Sequence, residues 1–207
     1  MSVTHRRQPS RLIIPGLPPA LAIYPPGQKK NTNAGRLTGR GAVFLASQTF
    51  SGVFAADFSL VAYPTFKMFE FVLIGILPVT DNNSLSVAWS TDNGGTILNT
   101  NYAWTMGIHR EGVAYASAGA ASATLIPIVA NSLGNAAAEG YSGEMKQFPA
   151  LAGRTSLIHR GSFISSDATP ALYSVFGGGS RLGVVNWTRF IIGAGNMSGT
   201  IQLYGYD

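Results

Sequence analysis

The chain contains no cysteine. That excludes a disulfide framework, a thiolate metal site and a cysteine nucleophile. Charge is also scarce. Asp, Glu, Lys and Arg make up 11% of the residues, against roughly 25% in an average soluble protein. With 46% apolar residues, this is not the composition of a solvated disordered chain. Much of the surface must be neutral and suited to burial against other subunits. No apolar run reaches the roughly 20 residues needed to span a bilayer as a helix, so membrane insertion is not expected. The start, Met1 to Arg11, is basic, and the apolar patch that follows is broken by Pro15, Pro18 and Pro19. No clear small-residue cleavage site follows it, so no signal peptide is expected.

Catalytic patterns are lacking as well. There is no G-x-S-x-G nucleophile elbow and no G-x-x-x-x-G-K-[ST] loop, and Gly177 to Gly179 lack the strand-to-helix setting of a phosphate cradle. The three histidines, His5, His109 and His159, are far apart, which argues against a metal site. His159 reads as a polar strand residue. Nine acids are scattered with no spacing that singles out a carboxylate pair. We therefore expect no enzyme, no cofactor and no metal. A polysaccharide-degrading enzyme that uses an acid such as Asp92 or Glu139 is a minor alternative. Asp81, Asn82, Asn83, Asp92 and Asn93 could gather oxygen ligands for calcium at one hairpin end, or simply form two tight turns.

What is present divides the chain in two. Residues 1–40 hold six of the 11 prolines and seven of the 14 basic residues, with no acid. Proline fixes φ and removes donors, so this stretch favours an extended polyproline-like arm. Its apolar side chains, Leu12, Ile13, Ile14 and Tyr24 among them, are too few for a core. They must pack against a neighbouring subunit, a larger assembly or the chain's own domain. Arg6, Arg7 and Arg11 join those four as candidate attachment residues. Residues 41–207 keep seven basic residues against all nine acids, a net −2. That near-neutral body is a poor nucleic-acid surface.

From Gly41 onward the pattern is short strands and turns. Gly41 to Ser47 opens it. Met68 to Ile76 puts Phe69, Phe71 and Leu73 on one face and Glu70, Val72 and Ile74 on the other, as in an interior strand. Leu85, Val87 and Trp89 alternate with Ser and Ala, as in a half-buried strand. Asp92-Asn93-Gly94-Gly95 is a turn, because Asn and Gly tolerate positive φ. Further strands are expected at Tyr102 to Met106, Gly112 to Ser117, Ala123 to Val129, Ser142 to Phe148 and Thr155 to Ile164. Asn131 to Tyr141 reads as a loop. Ala171 to Phe176, Arg181 to Val185, Thr188 to Ile192 and Thr200 to Tyr206 complete the set, with Gly177-Gly178-Gly179 separating two of them. Many short strands and no long helix predict an antiparallel β-sandwich or barrel. Aromatics in a sandwich are mostly core. Tyr102 and Trp104, with Asp92 and Asn93 nearby in sequence, are the candidate carbohydrate-binding residues, since an exposed ring stacks on a sugar.

Four segments resemble virion proteins of tailed bacteriophages. Asn196 to Tyr206 (NMSGTIQLYGY) is similar to a recurring "SGTIxLYG" ending. Phe69 to Gly95 resembles a strand, an "xPxTD" turn, an apolar strand and a D-x-GG-type turn. Asn99 to Trp104 (NTNYAW) continues it, and Gly134 to Gly140 with Ser142-Gly143-Glu144 is similar to "GNAxxEGxSG". The resemblance covers residues 66–207 and leaves the arm outside. It implies a jelly-roll-like sandwich, often a homotrimer, located in the virion and binding surfaces rather than catalysing a reaction. On that basis the arm would contact other virion proteins, and the sandwich would be a tail-fibre or spike domain that recognises host-surface polysaccharide. The alternative is a capsid decoration or head-fibre protein whose arm binds the shell.

Overall fold

The computed structural model describes residues 41–151, 153–168 and 170–207. The seven candidate attachment residues, from Arg6 to Tyr24, lie outside them. Twelve strands form two antiparallel sheets packed face to face. They are β1 (Val43–Val53), β2 (Ala55–Ser59), β3 (Met68–Pro78), β4 (Asn83–Ser90), β5 (Tyr102–Arg110) and β6 (Ala116–Ala123), then β7 (Ile126–Leu133), β8 (Tyr141–Leu151), β9 (Arg154–Ile164), β10 (Leu172–Leu182), β11 (Trp187–Ile192) and β12 (Met197–Tyr206). One sheet runs β1-β12-β3-β8-β9-β10-β5-β6 and the other β2-β11-β4-β7.

The pairing is nested. β1 pairs with β12, β2 with β11, β3 with β8 and β4 with β7. Eight strands paired from the outside inward and rolled into two four-stranded halves are a jelly roll. The remaining strands are additions. β5 and β6 lie in sequence between β4 and β7, and β9 and β10 between β8 and β11. All four extend one sheet beyond β8.

Alternation along each strand builds the core. Phe69, Phe71 and Leu73 of β3 point inward, whereas Glu70 and Val72 are half-buried and Ile74 is exposed. Thus β3 is interior in strand order, with one open face. Leu85, Val87 and Trp89 of β4 are fully buried. The Ser and Ala between them are buried too, because β11 places Ile191, Arg189 and Trp187 beside Ser86, Ala88 and Ser90. Phe58 and Phe190 from the smaller sheet meet Phe71 from the larger one edge to face, with centroids 5.4 and 5.2 Å away, and meet each other at 6.1 Å. Such pairs add about 1 kcal/mol each beyond the area they bury.

Several expectations are corrected. β2 was not anticipated. The expected strands at 112–117 and 123–129 are instead β6 and β7, and Asn131 to Leu133, read as loop, belong to β7. Gly177-Gly178-Gly179 does not separate strands; β10 runs through it without a break. Gly177 faces inward, where a Cβ would come within 2.7 Å of the His159 imidazole, so the buried ring occupies the space a side chain would need. The proposed calcium cluster is excluded by topology. Asp81 to Asn83 and Asp92 to Asn93 flank the two ends of β4, about 25 Å apart for eight residues of strand.

His159 is buried rather than merely polar, and neither ring nitrogen has a hydrogen-bond partner among the described residues. Burial pushes its pKa down from 6.5 to about 4. The unfolded chain therefore binds the proton first as pH falls. The contribution of the neutral ring is complete above pH 6.5 and is lost as pH falls toward 4, about 3 kcal/mol in all. The difference in unfolding free energy between wild type and His159→Leu, measured by urea denaturation at pH 7.5 and pH 4, should change by about that amount. An unchanged difference would show that the ring titrates normally.

Two buried tyrosines give a second test. Tyr102 Oη accepts from Trp89 N (2.8 Å) and donates to the Leu98 carbonyl (3.0 Å). Tyr141 Oη is buried beneath Gly143 and Gly161, without a partner among the described residues. Removing a satisfied hydroxyl orphans its partners, whereas removing an unsatisfied one relieves a desolvation penalty. Tyr102→Phe should cost about 1–2 kcal/mol in thermal or urea unfolding, while Tyr141→Phe should leave stability unchanged or raise it.

Candidate functional site

The four candidate carbohydrate residues do not form one surface. Tyr102 is 0% exposed and its ring lies 5.6 Å from Trp89, within the core. It has no free face for a sugar, which corrects the expectation. Trp104, two residues on along the same strand face, is partly buried and packs against that core. Asp92 and Asn93 are exposed, but the β4–β5 turn uses their polar atoms. Asp92 Oδ1 accepts from Ser90 Oγ and from Thr96 N (2.8 Å). The Ser90 and Thr96 hydrogen bonds hold its pKa down at about 2. Asn93 donates its N–H to Asn186 Oδ1 (3.0 Å) and accepts from Ser59 Oγ (3.0 Å). The expected positive φ occurs at Asn93 (61°) and Gly94 (87°). Glycine at 94 also lets the Trp187 indole lie directly on the turn. That indole donates Nε1–H to Asp57 (2.8 Å), a carboxylate also gripped by Arg189 through two N–H groups at 2.6 and 2.9 Å.

The opposite end is laced by the other quoted turns. Asn83 Nδ2 donates to Thr80 Oγ1 (2.9 Å) and to the Ala194 carbonyl (2.7 Å), and its Oδ1 accepts from Ala194 N (2.9 Å). Asp81 Oδ1 accepts from Asn135 N (2.9 Å), and Asn135 Nδ2 returns a bond to the Val79 carbonyl (3.1 Å). Glu139 Oε2 accepts from Ala136 N (2.9 Å) within its own loop. Glu139, the other acid of the enzyme alternative, therefore serves as a local cap. These side chains close that end of the sandwich.

The open chemistry lies on the outer face of the eight-stranded sheet. Strand register sets three rows there. Ser142, Ser162 and Ser174 stand side by side on β8, β9 and β10, with His109 of β5 next in line. One step along, Val72, Glu144, Arg160 and Phe176 form the second row, and Glu70, Lys146 and Ile158 the third. Because serine is small, the first row is the floor of an open trough of about 790 Å³, walled by Val72, Ile74 and the second row. Its volume falls within the roughly 300–1,000 Å³ range of small-ligand sites. A second hollow of about 590 Å³ continues it over Ile158, Gly177 and Gly178.

The charges in the trough balance. Arg160 Nε donates to Glu144 Oε1 at 2.8 Å. Lys146 Nζ lies 3.5 Å from Glu70 and 3.9 Å from Glu144. Tyr206 donates its hydroxyl to Glu70, and this hydrogen bond, with burial, pushes the tyrosine pKa up to about 12. Arg160 keeps 74% of its side chain exposed. Phe176 is 51% exposed and stacks on Tyr115, with centroids 5.9 Å apart and planes 19° from parallel. Both rings cover Gly107, where a Cβ would meet Phe176 at 2.6 Å. The glycine leaves room for the tips of both rings against the strand.

Sequence reasoning missed this site. One signal was available: the alternation of Tyr173, Ser174, Val175 and Phe176, with Tyr173 and Val175 packing inward, sends Phe176 outward. Comparison with protein families, curated proteins and solved structures returned no match.

The lacing at Asn83 carries a stability prediction. The residue is buried and makes three bonds across the turn. Asn83→Ala leaves both polar atoms of Ala194 without that partner, so the variant should unfold about 3 kcal/mol more readily in urea. A loss under about 1 kcal/mol would show that water replaces the side chain there.

Proposed function

We propose that this protein is a structural component of a phage-like particle, of the tail-fibre or spike type. Its sandwich recognises a host-surface polysaccharide, and residues 1–40 dock it to the particle. The observation that carries the reading is where the resembling segments fall. The D-x-GG, "xPxTD" and "GNAxxEGxSG" segments form the hydrogen-bonded turns at the two ends of a jelly roll. Its β12 is the "SGTIxLYG" ending, paired on both sides by β1 and β3. Resemblance and architecture thus coincide in four separated places.

Binding rather than catalysis is the role of such a subunit. Asp92 and Glu139 are engaged in their own turns, which leaves the degrading-enzyme alternative without its two named acids. Assembly as a homotrimer fits the surface. The end of the sandwich at which the described chain begins exposes Phe44, Val61, Leu182 and Val184, each more than half accessible. Apolar side chains of that size suit subunit contacts.

The test is immunogold electron microscopy of intact particles with antibody raised against residues 41–207. Gold on the tail or its fibres is the expected result. Gold spread over the head would replace the tail assignment with capsid decoration or a head fibre. Particles without gold, with the protein abundant elsewhere, would overturn the particle reading.

A further inference from the structure

We infer that the trough on the outer face of the eight-stranded sheet binds an uncharged oligosaccharide, with Phe176 as the stacking platform and Arg160 and Glu144 as hydroxyl partners. The inference rests on the recognition role proposed above and names the site and the ligand chemistry for it.

Three observations carry it. The first is the aromatic surface. Phe176 is half exposed beside Arg160, and Tyr115 stacks against one of its faces. A flat apolar ring beside polar groups matches a pyranose, which has an apolar C–H face and a hydroxylated rim. The second is hydrogen-bonding capacity. Ser162 and Ser174 are exposed on adjacent strands, about 4.8 Å apart. Arg160 spends one N–H on Glu144 and presents the rest of its guanidinium outward. A sugar hydroxyl can donate to a carboxylate and accept from a guanidinium at once, so every polar group here finds a partner. The third is charge. Glu70 and Glu144 against Lys146 and Arg160 sum to zero, which gives no net attraction for a polyanion.

A second copy of this chain fits less well. Docking a protein face here would take four charged groups out of water, and their mutual attraction does not reliably offset that desolvation. The exposed apolar side chains on this face, Phe176 with Tyr115, Ile158 and Ile74, are interspersed with Glu144, Lys146 and Arg160. A hydroxylated ligand leaves the ion pairs intact and adds hydrogen bonds to them.

The test uses the full chain on an array of bacterial surface glycans that carries both neutral and uronic-acid-bearing chains. Titration calorimetry then follows with a purified neutral fragment that binds. Wild type is compared with Phe176→Ala, with Arg160→Ala and with Ser162→Tyr, which fills the floor without touching the ion pairs. Each should weaken binding by about tenfold or more, with a melting temperature close to that of wild type. Asp92→Ala, at the β4–β5 turn, should bind as wild type does. Binding only to anionic glycans, binding unaffected by all three substitutions, or no binding on the array would each overturn the inference. Gold on the tail together with a silent array would leave the particle reading standing and remove the trough. Glycan binding with unlabelled particles would do the reverse.

Discussion

Gln147 sets how the two sheets sit on each other. Apolar burial is non-directional, so an oily layer alone would let one sheet slide over the other. Gln147 of β8 is fully buried, and its Oε1 accepts from Trp89 Nε1 (3.0 Å) and Thr188 Oγ1 (2.8 Å). Those donors sit on β4 and β11, adjacent strands of the opposite sheet. A shift of one residue would strand all three groups in a dry layer, at about 1–3 kcal/mol each. Gln147 Nε2 has no partner among the described residues, so the lock works through one oxygen. Trp89 extends the constraint to a third strand. Pairing of β4 with β7 stops at Val87 and Ile126, which leaves the Trp89 backbone without a ladder on that side. Tyr102 Oη takes its N–H, and Leu98 N donates to its carbonyl. The start of β5 is thereby fixed to the smaller sheet, although β5 pairs within the larger one.

That anchor matters because β5 belongs to the addition rather than to the eight nested strands. With β5 fixed at Tyr102, β10 pairs along it from Tyr173 to Ser180, and β9 pairs along β10 from Arg154 to Ile164. The larger sheet becomes twice as many strands wide as the smaller one. Its inner face is covered near the centre by the smaller sheet, and its outer face is left broad and open. The same register that satisfies the core aligns Ser142, Ser162 and Ser174 on the outside. A period-2 strand cannot place Val175 inward without turning Phe176 outward, so the trough follows from the packing of the core.

This coupling explains what could be read from the chain alone. Phe69 to Leu73 and Leu85 to Trp89 were legible as strands with their large side chains inward, but their other faces were not: β3 is open on the outside where it read as interior, and Ser86 and Ala88 of β4 are buried where it read as half-buried. So was the Asp92 to Gly95 turn, because Asn93 and Gly94 take the φ values their side chains permit. β2 was not legible, since Ala55 to Ser59 is short and carries only one large apolar residue, Phe58. Gly177 to Gly179 looked like a break because glycine usually signals one; only the packing shows why glycine is required inside a strand, since a Cβ at 177 would meet the Thr105 carbonyl at 2.5 Å and the His159 ring at 2.7 Å. Tyr102 was misjudged because an aromatic beside a polar turn has the same local sequence whether its ring faces solvent or core. The trough was invisible for a different reason. Val72, Glu144, Arg160 and Phe176 are neighbours only through three separate strand registers, and no local pattern encodes those.

The origin of the trough walls bears on specificity. Val72, Ile74, Ser142 and Glu144 come from β3 and β8, a nested pair of the jelly roll, and lie in segments that carry the resemblance. Arg160, Ser162, Ser174 and Phe176 come from the added hairpin β9–β10. The two contributions meet at the Glu144–Arg160 pair, where a jelly-roll strand holds the guanidinium of the addition. The end turns have few free polar atoms, because Asp81, Asn83, Asp92 and Glu139 spend theirs on neighbouring backbone. Changing those residues would damage closure of the sandwich before it altered a surface. Side chains on β9 and β10 that point outward carry no such duty to the core. The groups lining the trough can therefore change while Gln147, Trp89 and Tyr102 hold the same frame beneath them.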